Sequence, residues 1–378
     1  MAELPLALKT ASAAPQGAFA VEPWRAFADA AGWDALAHVA AEPNPFAERW
    51  FAQAGLTAFD PRGAVALASL RHEGRLVGLL PLARRLVYDR YPLPHIGNWL
   101  HPNAFCGAPL VAHGAEHDFW RALLDWADHY ARAALFLHLE RLPADGPLYA
   151  ALRDVVAAAH RPAAAVHREE RALLASDLDA DAYFEASLST KKRKELRRQF
   201  NRLADEGAVA VERCTDDAGL AEWIDAFLSL ERAGWKGAEG SALACADATE
   251  RFFRQAMADA AAAGRLERLA LTLDRHPIAM LANFLTPPGA FSFKTTYDER
   301  LARFSPGVLL QRENLALLAR DDIAWCDSCA AADHPMIERI WREKRAIVRV
   351  SIAIGGPARQ ALGHRLLRAE TGAEPKGL

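Results

Sequence analysis

Apolar positions recur at helical spacing from Trp24 to Ala41 and from Phe46 to Ala54, separated by a proline-containing turn at Glu42 to Pro45. The pattern then changes. Ala64 to Leu70 and Leu76 to Val87 are apolar, β-compatible runs joined by a charged stretch with Gly74 at its turn, which predicts a strand pair. A helix is expected over Asp118 to Ala131, a strand over Ala134 to Leu139 and a helix over Pro147 to Ala159. The second half runs the same way, with helices Leu220 to Arg232 and Ala248 to Ala263, then strands Leu266 to Leu273, Ile278 to Leu285 and Ala290 to Asp298. Helix Gly307 to Ala319, strand Ile323 to Ser328, helix Pro335 to Arg345 and strand Ile347 to Ile354 close the chain. Because one order of elements occurs twice, the pattern predicts a duplicated α/β protein with a boundary near His160 to Ala175.

Composition leaves that picture unchanged. At 378 residues, 52% hydrophobic and 25% charged, the chain has the makeup of a two-domain globular protein. A net charge of −3 gives no overall bias toward nucleic acid. No stretch reaches the roughly 20 apolar residues of a membrane span, and 1–17 reads as a loose tail, so the expected compartment is the cytoplasm. Five scattered cysteines form no disulfide framework; Cys326 and Cys329 make a C-x-x-C without the second pair a zinc site needs, which leaves buried thiols or redox chemistry, and no metal is expected.

Local chemistry is more telling. Ser305, Pro306 and Gly307 stand where a strand hands over to an apolar helix: a good N-cap, a proline whose missing N–H costs nothing, and a residue without side-chain bulk. The N–H groups of Gly307, Val308 and Leu309 are expected to point out of the helix end and favour a phosphate. Strand alternation places Lys294 and Thr296 on one face and Thr295 and Tyr297 on the other. Lys294 then reads as a structural ion pair or as a phosphate or substrate contact. Between Lys191 and Arg202 lie seven basic residues on a helix whose stripe Leu196, Phe200 and Leu203 is expected to dock; the charge reads as a solvated face, a contact to a phosphate or an anionic lipid surface, or, least favoured, RNA. His101, in a Trp-Leu-His-Pro-Asn loop, is a candidate general base, with Asn103 beside it for substrate.

The stretches SLSTKKRKELRRQFNRLADEG (187–207), LERAGWKG (230–237), FKTTYDERLARFSPGVLL (293–310) and WCDS (325–328) resemble the GNAT acyltransferase superfamily in its FemAB-like and cellulose-biosynthesis-associated variants. EPNPFAERWF (42–51), LLPLARR (79–85) and WLHPNAFCGAPLV (99–111) are similar to the partner domain of that group. The resemblance implies two tandem GNAT-like domains, 18–165 and 166–356, each a mixed, mostly antiparallel twisted sheet flanked by helices, and a C-terminal tail at 357–378. It implies acyl transfer from a coenzyme A thioester to an amine in a ternary complex. The cofactor would lie on Ser305, Gly307, Val308, Leu309 and Lys294; a backbone N–H within 293–297 would hold the oxyanion; Tyr297 and Asp298 would serve proton transfer; Glu231, Trp235 and Lys236 would bind the acceptor. The implied acceptor is an envelope amine, either a long-chain amino alcohol or an amino sugar. The alternatives are a FemAB-like enzyme using aminoacyl-tRNA, or a scaffold whose site has decayed. One departure stands out: where the family's strand reads Asp followed soon by Gly, Asp327 is followed by Ser328, Cys329 and Ala330. The basic helix is expected to touch an anionic membrane peripherally.

Overall fold

The computed structural model describes residues 13–14, 17–375 and 377–378. The expected tail, 1–17, therefore falls almost wholly outside the described residues. In chain order the first half holds β1 (Gly17–Pro23), α1 (Ala30–Val39), α2 (Arg49–Phe59), β2 (Ala66–His72), β3 (Arg75–Arg85), β4 (His95–Asn98), α3 (Glu116–Tyr130), β5 (Phe136–Pro143) and α4 (Pro147–Ala158). There follow β6 (Ala163–Leu174), α5 (Ala180–Ser187), α6 (Thr190–Glu206), β7 (Val209–Cys214), α7 (Leu220–Ala233), α8 (Trp235–Ala238) and α9 (Asp247–Ala262). Then come β8 (Leu266–Leu273), β9 (His276–Thr286), β10 (Gly289–Tyr297), α10 (Pro306–Asn314), β11 (Trp325–Asp327), β12 (Glu343–Ala353) and α11 (Pro357–Thr371).

These elements form two compact units, one of 1–169 with 346–378 and one of 170–345. The sheet of the first runs β1-β2-β3-β4-β5-β12 and that of the second β7-β8-β9-β10-β11-β6. The two orders are the same. In each, four antiparallel strands precede one parallel pairing, β4 with β5 and β10 with β11, and a last antiparallel strand follows. Connectivity differs only at that last strand: β12, from the C-terminal end of the chain, completes the first unit, whereas β6 follows α4 and completes the second.

The division between the units, at 169/170, falls within the stretch expected as the boundary, 160–175; that stretch contains strand β6, whose ends are buried and whose middle, His167 to Glu170, is charged and mostly exposed, so no run of apolar residues marked it. Other expectations are corrected. Strand β12 belongs mainly to the first unit, and the expected tail holds α11, which buries Leu367 there. No helix forms over Pro335 to Arg345. Ile337, Ile340 and Trp341 bury their side chains from a series of turns. The helix expected from Trp24 is interrupted before Ala30, where Asp29 accepts from the Gly32 N–H at 2.8 Å and caps α1.

In the second unit, strand alternation assigns the two helical layers. Leu269 and Leu271 of β8 pack with Leu203 of α6 and Leu310 of α10, while the even-numbered Arg268, Ala270 and Thr272 turn to the other face beside Trp223 of α7. On the α7 and α9 side, Phe227 stacks on Phe253 at 5.1 Å, Phe253 on Phe293 at 6.4 Å and Phe293 on Phe284 at 4.4 Å. Each such ring taken from water contributes roughly 2–3 kcal/mol. Helix α10 is held by polar contacts too, because the buried Asn283 of β9 donates to Asn314 at 2.7 Å and to Glu267 at 2.8 Å.

Candidate active site

Strands β10 and β11 pair in parallel only from Gly289 to Phe291, against Trp325 to Asp327. Beyond Phe291 the β11 side of β10 has no paired strand, so backbone groups of 292–297 on that edge face an opening in the sheet. A bulge lies at the same place: the register pairs Ala282 with Lys294 and Asn283 with Ser292, skipping Phe293. The bulge turns Phe293 onto the α9 face along with Lys294. Thr295 accepts from Gln311 of α10 at 3.4 Å, and the Tyr297 ring packs beside Gly307 of α10. The expected division of Lys294 from Thr295 and Tyr297 is therefore realised.

Lys294 is half-buried, and its pKa is pushed down to about 8, first by burial and then by the charge of Lys236, with Glu231 acting against both. Glu231, at the end of α7, is 3% exposed. One of its oxygens accepts from Lys236 Nζ at 2.8 Å and the other from the Leu243 N–H at 2.8 Å. His334 completes the group, and nothing in the sequence singled it out. Burial and the charge of Lys236 hold its imidazole below the ordinary 6.5, and its buried Nδ1 has no hydrogen-bond partner among the described residues. Its sequence signal was faint, a lone histidine before Pro335 among thirteen.

The wall after β11 is built by a buried carboxylate. Asp327, fully buried, accepts from Arg171 at 2.8 and 3.1 Å and from the Cys329 N–H at 2.9 Å, with Arg345 at 3.7 Å. That turn sets Cys329 at φ 54°, the left-handed region where the family's glycine would be at ease. The departure in sequence is thus accommodated without losing the turn, and the buried Cys329 lies within electrostatic reach of Lys294.

A cavity of about 240 Å³ opens at the start of α10, lined among others by Tyr297, Ser305, Gly307, Lys192, Arg339 and Met336. The helix start differs from expectation. Ser305 has φ 56° and makes no side-chain cap bond; instead its carbonyl accepts the N–H groups of Val308 at 3.0 Å and Leu309 at 3.1 Å. Those two donors are spent inside the helix, and Leu309 buries its side chain in the core. Gly307 keeps an N–H without a protein acceptor among the described residues, and its missing side chain is needed: a Cβ there would lie 2.9 Å from Met336 Sδ and 3.2 Å from the Tyr297 ring. Lys192 and Arg339 line the same cavity, so side-chain cations stand where backbone donors were expected.

Other candidates take structural positions. Asp298 caps the turn 299–304 by accepting from Arg300 N at 3.0 Å and pairs with the Arg300 guanidinium at 2.6 Å, which holds its carboxyl below the usual range. His101 is 5% exposed in the first unit, 5.4 Å from the Phe51 ring and 4.8 Å from that of Phe59, and its Nδ1 accepts from the N–H of the buried Asn103 at 3.3 Å. Such a packed imidazole serves the core of that unit. Trp235 exposes its ring while its backbone N–H donates to Glu299 at 2.6 Å. On α6, Leu196 and Leu203 dock as expected, but Phe200 is exposed.

Residues 190–335 match the sequence model of the acetyltransferase (GNAT) domain. The fold is that of a crystal structure of FemX (TM-score 0.56, 11% identity, covering 89% of this chain and 99% of that one). A conserved protein of unknown function from Bacteroides thetaiotaomicron is also similar in fold (TM-score 0.54, 10% identity, covering 86% and 96%). No curated protein matches the chain. A GNAT domain is thus matched over residues 190–335, and the chain as a whole is similar in fold to FemX.

Proposed function

We propose that this protein transfers an acyl group from a coenzyme A thioester to the amine of an envelope component, a long-chain amino alcohol or an amino sugar. The observation that carries this reading is the juxtaposition, within one unit, of a cation-rimmed cavity at the start of α10 with the open edge of β10 and the group Glu231, Lys236, Lys294 and His334. Lys192, Arg339 and the Gly307 N–H would hold the donor's phosphates. An N–H on the open edge within 292–297 would accept the developing oxyanion as the amine nitrogen bonds to the acyl carbon. The proton leaves the amine for His334 Nδ1, which is neutral near pH 7. The carbon–sulfur bond then breaks, and the thiolate takes a proton from the Tyr297 hydroxyl or from water.

A second reading is supported by the spent Val308 and Leu309 N–H groups. With a thin backbone cradle, the donor would be an aminoacyl-tRNA, as in FemAB-like enzymes, its phosphates met by side-chain cations alone. Calorimetry with coenzyme A, acetyl-CoA and palmitoyl-CoA separates the two. Binding by wild type that is lost in Gly307→Glu and weakened roughly tenfold in Lys192→Glu supports the thioester donor; no binding to any of the three overturns it in favour of the tRNA donor or a decayed site.

A further inference from the structure

Helix α6 carries seven cations and three carboxylates, Glu195, Asp205 and Glu206. Two of the three are already engaged, Glu195 by Arg198 and Glu206 by Arg303. Lys191, Lys194, Arg197 and Arg202 are exposed and pair with no carboxylate among the described residues. At 100° per residue these four fall on the outward face, opposite the buried Leu196 and Leu203. Phe200 was expected to dock with those leucines; it lies on their side of the helix, nearly opposite Lys191 and Arg202, with its ring 41% exposed. Through Leu188 just before it, and Lys192 and Leu196 on it, the helix also forms one side of the cavity at α10.

We infer that α6 seats this unit on an anionic lipid bilayer, its outward cations on the headgroups. Charge complementarity names the occupant: each Lys or Arg near a surface of acidic lipid adds attraction. Single-stranded nucleic acid fits less well, because it is held in a charged groove with several stacking aromatics, whereas the outward face of α6 is convex and carries no ring among its four cations. The cavity wall on the same helix then opens next to the lipid, where an amphiphilic acceptor resides. Seating does not depend on acyl transfer, since it rests on the outward face of α6 alone.

The test is co-flotation of the purified full chain with phosphatidylcholine vesicles, with and without phosphatidylglycerol, at low and high salt. Binding is expected only to the anionic vesicles and is lost at high salt. Arg197→Gln with Arg202→Gln should weaken partitioning roughly twenty-five-fold, about fivefold per cation. All variants are first checked for wild-type circular dichroism; because the substituted side chains are exposed, they are expected to fold. Equal binding to neutral vesicles, no binding to anionic ones, or unchanged binding by the double variant overturns the inference. Displacement from anionic vesicles by single-stranded RNA at equimolar phosphate overturns it in favour of a nucleic-acid face.

Discussion

Lys236 Nζ lies 2.8 Å from Glu231 Oε1, and the second oxygen of that carboxylate accepts the Leu243 N–H, so one buried acid ties α7, α8 and the following loop together. Glu231→Ala removes both contacts and leaves Lys236, one quarter exposed, without its counter-ion. Breaking a fully buried pair costs about 3–5 kcal/mol, and the partial exposure of Lys236 reduces the expected loss to about 2–3 kcal/mol. Urea denaturation measures it. Glu231→Gln, which keeps an acceptor for Leu243, should lose less than the alanine variant.

Lys294 links stability to pH in the opposite sense to a paired acid. Its pKa is about 8 in the fold against an ordinary 10.5, so between those values the unfolded chain holds a proton that the native state has released. Native stability from this residue therefore rises with pH across that window, and below it the charged form is held at a cost. Lys294→Met should unfold at a higher temperature than wild type at pH 7, with the advantage shrinking as pH climbs from about 8 toward 10.5, read by thermal denaturation at several pH values.

Transfer should have a bell-shaped pH profile. The acid limb belongs to His334, whose imidazole protonates only below 6.5, and the alkaline limb to Lys294, which loses its proton near 8. His334→Gln should lower kcat roughly hundredfold and flatten the acid limb while leaving donor affinity unchanged. Lys294→Met should remove the alkaline limb. An acid limb that survives in His334→Gln would assign proton removal to another group.

Asp327 is the most deeply placed carboxylate of the second unit, held between Arg171 and Arg345 with the Cys329 N–H on its other oxygen. Asp327→Ala takes from two buried guanidinium groups the carboxylate they share and should cost about 3–5 kcal/mol. It also frees the turn that sets Cys329 beside Lys294. Faster alkylation of the variant's thiols under native conditions, followed by mass spectrometry of the Cys326 and Cys329 peptides, reports that release.

Where a segment's partners lie nearby in the chain, the residues alone were enough. The strand Leu266–Leu273, the hairpin turn at Asp274 to Pro277, helix Pro147 onward and the repeated order of elements all follow from local periodicity and turn chemistry. So did the face on which Lys294 lies, because strand alternation is set by the backbone. The GNAT resemblance likewise rested on contiguous residues around Ser305 to Gly307.

Tertiary structure decided what depends on partners distant in sequence. Strand β6 is charged through its middle and its end pairs with β11, far from it in sequence, and β12 joins the first unit although it follows the second in the chain. His101 reads as a base until Phe51 and Phe59 close over it, and His334 reads as nothing until burial and Lys236 hold it neutral. Ser305 kept its place at the helix start but turned its carbonyl, rather than its hydroxyl, to the Val308 and Leu309 N–H groups. Periodicity is a property of neighbours along the chain, whereas desolvation, charge and hydrogen-bond competition at a site are sums over neighbours in space, and those sums exist only once the chain has folded.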